Sequence, residues 1–165
     1  MRERRARDER RRAREFDAFV AGAGGRLLHA ATLLTGERPG ERPGAVPGAQ
    51  RLLVGALART YAEWDRMRGG DPYEYTRQQL AARFARAAWR HRRPRGGVLA
   101  GLAPQERLVL VLRLYEGVAE EQTAATLGLP VERVRTLATR AMATLLSTPP
   151  ASGPRPGAVV AEGVT

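Results

Sequence analysis

Residues 102–147 read LAPQERLVLVLRLYEGVAEEQTAATLGLPVERVRTLATRAMATLLS, and their apolar residues recur at helical spacing in three segments. Gly117 and Gly128 follow the first two segments, where glycine commonly ends a helix, and Pro130 favours the start of the third. A short helix, a turn of about four residues containing glycine, and a longer helix form the helix-turn-helix pattern. The sequence therefore predicts an all-α protein with a helix-turn-helix. The inward positions of the first segment are Leu108, Val111, Leu112 and Tyr115.

The last segment of this pattern has one apolar face and one polar face. Its inward positions are Val134, Leu137, Ala138, Ala141 and Leu145. Its outward positions are Glu132, Arg133, Arg135, Thr136, Thr139 and Arg140. Arginine can fork onto guanine, glutamate can accept a hydrogen bond from cytosine, and threonine can contact either base. We therefore expect the outward residues to contact DNA; the alternative is a plain helical hairpin with a charged exterior.

The residues before this block are predicted to form a separate helical domain. Apolar spacing predicts helices over residues 16–35 and 49–67, and Asp71 followed by Pro72 predicts the start of a third helix that reaches Trp89. The predicted organisation is a basic disordered arm at 1–15, a helical domain at 16–93 with a Pro/Gly-rich loop at 36–48, a short linker at 94–101, a helix-turn-helix domain at 102–148, and a disordered tail at 149–165. The arm has no apolar stripe and the tail is rich in Pro and Gly, which favours disorder in both.

The chain is strongly basic. Its 165 residues include 28 Lys+Arg against 17 Asp+Glu, a net charge of +11. A charge of this size favours a polyanionic partner, and nucleic acid is the first candidate. Residues 77–95 contain seven arginines and no acid, so the excess is concentrated in the third predicted helix.

Four arginines of this segment would form a stripe if the third helix continued unbroken: Arg83, Arg86, Arg90 and Arg93. A cationic stripe with aromatic neighbours suits phosphate binding and stacking on single-stranded bases. The alternative is a solvated face with the aromatic residues in the core. We favour core positions for Phe84 and Trp89, and a polar surface position for His91.

The composition excludes several classes of function. The chain has no cysteine and two histidines, so a disulfide scaffold, a Cys-ligated zinc site and a thiol nucleophile are excluded. The sequence pairs no metal ligand or nucleophile with the neighbouring acids Asp65, Asp71 and Glu74. We therefore predict neither catalysis nor a cofactor. No apolar run is long enough for a membrane span or a signal peptide. We expect a cytoplasmic protein without a membrane partner.

Several short motifs lie along the chain. They are FDAFV at 16–20, LL at 27–28 and LLTG at 33–36; DP at 71–72 with Tyr75; LAPQERLVLVLRLY at 102–115; and EQTAATLG at 121–128 with VRT at 134–136 and TRA at 139–141. Together they resemble the small bacterial sigma factors of the extracytoplasmic-function type, in particular an actinobacterial group. The resemblance covers about residues 16–146 and is strongest after residue 102. One departure is Gln50-Arg51, where the family usually has an acidic pair.

The resemblance implies two helical domains that bind core RNA polymerase and direct it to promoter DNA, with an anti-sigma factor as a possible further partner. The residues implied to face the polymerase are Leu52, Leu53, Ala56 and Leu57. Those implied at the minus-ten element are Arg86, Arg90, Arg92 and Arg93. Those implied at the minus-thirty-five element are Arg133, Arg135, Thr136, Thr139 and Arg140.

Two alternatives stay open at this point. The first is a diverged, sigma-like regulator that binds DNA without initiating transcription. The second is a protein-interaction module that binds another sigma factor or a regulator through the same helices. Association with core polymerase separates the sigma factor from both.

Overall fold

The computed structural model describes residues 1–40, 46–67 and 69–147. Its α-helices are α1 (Arg2–Thr35), α2 (Pro47–Glu63), α3 (Pro72–Arg86), α4 (Pro104–Leu110), α5 (Glu120–Leu127) and α6 (Val131–Ser147). The 3-10 turns Trp64–Met67 and Ala88–His91 follow α2 and α3, and a π-helical turn, Val111–Tyr115, continues α4. These described parts contain no β-strand beyond isolated bridges at Glu37, so the all-α prediction is confirmed. The predicted tail and residues 41–45 of the predicted loop lie outside them.

The helices begin and end at the local signals that the sequence carries. Gly36, Gly117 and Gly128 have φ values of 68°, 68° and 64°, which glycine adopts without the strain that a Cβ imposes. The carboxylate of Asp71 accepts a hydrogen bond of 2.8 Å from the backbone N–H of Tyr73 and so caps α3. The helix-turn-helix therefore occupies α5 and α6, as predicted.

One hydrophobic core joins the two halves of the chain. Most of its buried members come from α1 to α4, and they include Leu27, Leu34, Ala56, Phe84 and Leu108. The main core thus extends across residues 94–101, while the division of the chain into two domains at that segment stays a prediction. The reason lies in the run LVLVL at 108–112, which is buried on every side of the helix.

The helix-turn-helix also has a small core of its own on the far side of α4. Val109 packs there with Ala124 of α5 and with Val134 and Leu137 of α6. α4 thus contacts the helices before it through one face and the helices after it through the other. This double burial fixes α6 relative to α1–α3.

The N-terminal arm is helical, which corrects the predicted disorder of residues 1–15. α1 starts at Arg2 and runs without a break to Thr35. Arg, Ala and Glu all favour helix, and Asp8 lies 3.9 Å from Arg11 one turn further on. The polarity of residues 1–15 shows only that they have no hydrophobic core of their own. They are helical because they continue a helix whose later turns are packed in the core.

The predicted third helix ends early, and the arginine stripe is split as a result. α3 stops at Arg86, and Ala87 (φ −106°, ψ 12°) leaves the helical conformation. The turn that follows exposes 63% of Trp89 and buries His91, whose ring stacks on Phe84 at 5.2 Å. The expected positions of Trp89 and His91 were therefore wrong, while Phe84 is in the core as expected. None of the described helices is both long and apolar enough to cross a membrane.

Candidate nucleic-acid interface

The polar face of α6 points away from the rest of the molecule. All the residues predicted to be outward are exposed, namely Glu132, Arg133, Arg135, Thr136, Thr139 and Arg140. On the opposite face Val134, Leu137 and Ala141 are at most 4% exposed. The predicted phase of the helix is therefore confirmed, and this side of α6 is accessible to a groove of DNA.

The three arginines of this face have different partners. Arg135 donates hydrogen bonds to two carboxylates, that of Glu132 at 2.6 Å and that of Glu120 at 2.7 Å. Its hydrogen bond to Glu132, and then the charge of Glu120, raise the pKa of Arg135. Nε of Arg140 lies 3.1 Å from Oε1 of Glu106, a carboxylate that is itself buried. Within the described residues, Arg133 has no ion-pair partner. Arg133 is therefore the cation that can reach a base or phosphate without giving up an existing contact.

A second basic surface lies where α2 meets the end of α3. Arg86 and Arg90 line a concave surface together with the exposed indole of Trp89. The guanidinium of Arg90 lies 5.0 Å from the centre of the Trp89 ring. Arg92 and Arg93 are also exposed, but they do not line this surface. The structure thus brings together two of the four residues implied at the minus-ten element.

Three further arginines line the same concave surface: Arg51, Arg83 and Arg95. Of these, only Arg83 was a candidate for phosphate binding from the sequence, as a member of the predicted stripe. The guanidinium of Arg83 lies over Gly55, where an added Cβ would come within 2.8 Å of it. Arg95 belongs to the same acid-free run as Arg83 and could also have been chosen from the sequence. Arg51 comes from another helix, and no sequence signal connects it with α3.

The residues predicted to face polymerase turn largely inward. Leu53 is 8% exposed and Ala56 is fully buried, both in the main core, and Leu52 and Leu57 pack against that core. Leu53 and Ala56 are therefore corrected to core positions, since they cannot meet a partner while the core is intact. The polymerase contact of the partly exposed Leu52 and Leu57 stays a prediction. An apolar stripe indicates that one face of a helix is buried, but it does not indicate which surface covers that face. In α2 the apolar face is covered by α1 and α3.

Buried charged groups connect the helix-turn-helix half to the helices before it. Arg107 of α4 is 1% exposed and donates hydrogen bonds to the carbonyl oxygen of Leu34 at 2.9 Å and to that of His91. Burial, and then the charge of Arg95, lower the pKa of Arg107. An added Cβ at Gly36 would lie 2.4 Å from Nη1 of Arg107, so this glycine also makes room for the guanidinium.

A second buried connection centres on the carboxylate of Glu116. It accepts hydrogen bonds of 3.0 and 2.9 Å from the hydroxyl of Tyr73, and Arg26 lies 3.7 Å away. Burial and the hydrogen bond to Glu116 raise the pKa of Tyr73. Both Arg107 and Glu116 appear in the sequence as ordinary charged helix residues, so sequence reasoning missed them.

The burial of His91 predicts that the protein loses stability in mild acid. Burial, and then the charges of Arg95 and Arg107, lower the pKa of His91 below its ordinary 6.5. The unfolded chain therefore binds this proton more readily, and the free energy of unfolding falls as the pH drops below about 6.5, by at most about 1.4 kcal/mol per pH unit.

Urea unfolding between about pH 7.5 and 5.5 measures this loss, since the histidine of the unfolded chain takes up its proton in that range. His91→Gln should flatten the dependence. A stability that rises on acidification in the wild-type protein would contradict the assignment.

The chain is similar to known proteins along most of its length. Residues 98–145 match the family model described as Sigma-70, region 4. The RNA polymerase sigma-E factor of Streptomyces coelicolor is 32% identical over 156 residues, covering 79% of this chain and 84% of that protein. The RNA polymerase sigma-E factor of Streptomyces avermitilis is 31% identical over 156 residues, covering 79% of this chain and 83% of that protein. No solved structure matches the chain significantly.

The matched region 4 spans α4, α5 and α6, which include the exposed polar face described above. The similarity to the Streptomyces proteins extends well beyond that region and includes the helices that carry the second basic surface. On these grounds the chain belongs to the RNA polymerase sigma factors of the extracytoplasmic-function type, in their actinobacterial group.

Proposed function

We propose that this chain binds core RNA polymerase and directs it to promoter DNA, with α6 in contact with the minus-thirty-five element. The observation that carries the proposal is the exposed, polar face of α6 within the segment that matches sigma region 4. A helix of a helix-turn-helix reads DNA through such a face, by hydrogen bonds to base edges in the major groove. This role requires no catalysis by the chain itself. It places the protein in the cytoplasm, together with the polymerase and the chromosome.

The concave surface around Arg86, Trp89 and Arg90 is proposed to meet the minus-ten element. Its arginines can neutralise phosphates, and the exposed ring of Trp89 offers a face on which an unpaired base can stack. The guanidinium of Arg90 lies over the indole at 5.0 Å from its centre, so a base stacked on the open side of the ring would lie close to a positive charge. Arg92 and Arg93, which are exposed beside this surface, would contact the flanking backbone.

The outer face of α2 is proposed to contact core polymerase in place of the buried residues named from the sequence. Val54 is 65% exposed on this face, although the opposite side of the same helix is in the core. An exposed apolar side chain on a packed helix suits the centre of a protein interface. Val54→Asp should therefore weaken association without disturbing the core.

Reconstitution with purified core polymerase tests the function. The wild-type protein should co-purify with core polymerase and support run-off transcription from a promoter selected from a random library. Binding to the selected DNA without any association with polymerase would favour the sigma-like regulator. Association with a protein partner without DNA binding would favour the interaction module.

Arg133→Ala is expected to weaken binding to the selected minus-thirty-five sequence by about 1–3 kcal/mol while leaving the fold unchanged. Arg133 has no ion-pair partner among the described residues, so its removal leaves no carboxylate without a partner. Fluorescence anisotropy with the selected duplex and with variants of single base pairs measures the effect. Arg135→Ala is the comparison, and a larger loss there than in Arg133→Ala would reverse the ranking of the two residues.

A further inference from the structure

The N-terminal arm, defined here as residues 2–15 of α1, is attached firmly at its root. Arg12 donates hydrogen bonds to Oδ2 of Asp65 at 3.2 Å and to the carbonyl oxygen of Tyr61, and its guanidinium lies 4.3 Å from the centre of the Tyr61 ring. One turn further on, the ring of Phe16 lies 4.9 Å from Tyr61 and 5.2 Å from Trp64. These contacts set the direction of the arm and determine which of its faces is turned outward.

The outward face of the arm carries a stripe of arginines. Arg7, Arg10 and Arg14 are exposed and line a shallow groove along the helix together with Glu3 and Ala6. Their spacing of three and four residues puts them on one side over about 10 Å of helix length. Among the described residues no carboxylate lies within ion-pair distance of these three, whereas Arg11 lies near Asp8 and Arg12 near Asp65.

The repulsion between these arginines destabilises the arm in the free protein. Like charges three and four residues apart destabilise a helix, and the arm has net charge +4 over its eight arginines and four acids. A row of phosphates would remove the repulsion by neutralising the stripe. Binding of a polyanion should therefore stabilise the helix of the arm.

We propose that Arg7, Arg10 and Arg14 bind the phosphate backbone of duplex DNA, as a third contact beside α6 and the concave surface; the proposal rests on the proposed function for the presence of that DNA. The arm contains no aromatic residue, so it has no face on which unpaired bases could stack. Its apolar residues are Ala6 and Ala13, too few for a helix that lies in a membrane surface. Duplex DNA is therefore the polyanion that the arm fits.

Contacts to phosphate carry no sequence information, so the arm adds affinity for any duplex and helps to position the protein. This distinguishes its contribution from that of α6, where loss of a base contact changes the preference among sequences. The arm should therefore affect promoter and random DNA equally, and its effect should decline with salt.

The double variant Arg10→Gln/Arg14→Gln tests the proposal in the full chain. Anisotropy titrations with a short random-sequence duplex, between about 50 and 200 mM salt, should show the slope of log K against log salt reduced by about 2, since each lost phosphate contact lowers it by about 0.9. The matched control is Arg59→Gln/Arg66→Gln, which removes the same charge from two arginines that pair with Glu63. Its slope should stay close to that of the wild-type protein.

Three results would overturn the proposal. An unchanged slope in the arm variant excludes the contact, and an equal reduction in the control shows an effect of net charge alone. Binding to phosphatidylglycerol vesicles that depends on Arg10 and Arg14, without any change in the DNA slope, assigns the arm to a membrane surface. Failure of the proposed function has a different signature, because the wild-type protein would then show no preference for any promoter and no association with polymerase.

Discussion

Arg107→Ala is expected to lower the free energy of unfolding by about 3 kcal/mol, because it leaves two buried carbonyl oxygens without their donor and opens a cavity beside Phe84. The two carbonyls belong to Leu34 and His91, and the guanidinium that serves them is 1% exposed. These contacts join α4 to the end of α1 and to the turn after α3. Urea unfolding followed by circular dichroism measures the loss.

The same substitution should loosen the connection between the two halves. Limited proteolysis is expected to cut the Arg107→Ala variant within residues 94–101 faster than the wild-type chain, because this largely exposed segment opens more often once Arg107 no longer holds α4 against α1. Arg113→Ala is the matched control, since Arg113 donates to Val118 within its own half. If both variants lost the same stability and showed the same cleavage, Arg107 would have no special part in joining the halves.

Val134→Asp is expected to unfold the helix-turn-helix and to abolish binding through α6. Val134 is 1% exposed in a core of few residues, and an unpaired carboxylate buried there costs several kcal/mol. The small core shared with Val109, Ala124 and Leu137 contains too few buried residues to offset that cost. Far-ultraviolet circular dichroism should show a loss of helix, and anisotropy should show no preference for the selected duplex.

Thr139→Asp provides the comparison on the opposite face of α6. Thr139 is exposed, so the new carboxylate stays in water and the fold should be retained. DNA binding should still weaken, because the carboxylate faces the phosphates. A folded Val134→Asp variant beside a melted Thr139→Asp variant would show that the phase of α6 is wrong.

The local parts of this fold could be predicted because they depend on neighbouring residues. Gly117 and Gly128 end helices through their own backbone freedom, and Asp71 caps α3 through a bond to a residue two positions away. The two faces of α6 follow from the 3.6-residue period of the helix. The same period could not show where the third helix stops, because Arg, Ala and Trp are compatible with either outcome at Ala87.

The apolar face of α2 shows the limit of that reasoning. Leu53 and Ala56 were assigned to polymerase, yet they lie in the core beneath α1 and α3. Hydrophobic spacing indicates that a face is buried, while the identity of the covering surface depends on contacts between residues far apart in the chain. The buried positions of Arg107, Glu116 and His91 were missed for the same reason.

The sequence by itself determined the helical class, the helix-turn-helix, the exposed face of α6 and the family, since all of these are recorded in spacing, capping residues and motifs. Only the tertiary structure decided that α4 is buried on both faces, that Arg51 joins Arg86 and Arg90, and that the arm continues α1 with its arginine stripe outward. The physical reason is that burial and charge pairing are set by which helices lie against each other. One contact of that kind, from Arg107 to Leu34, connects residues 73 positions apart in the chain.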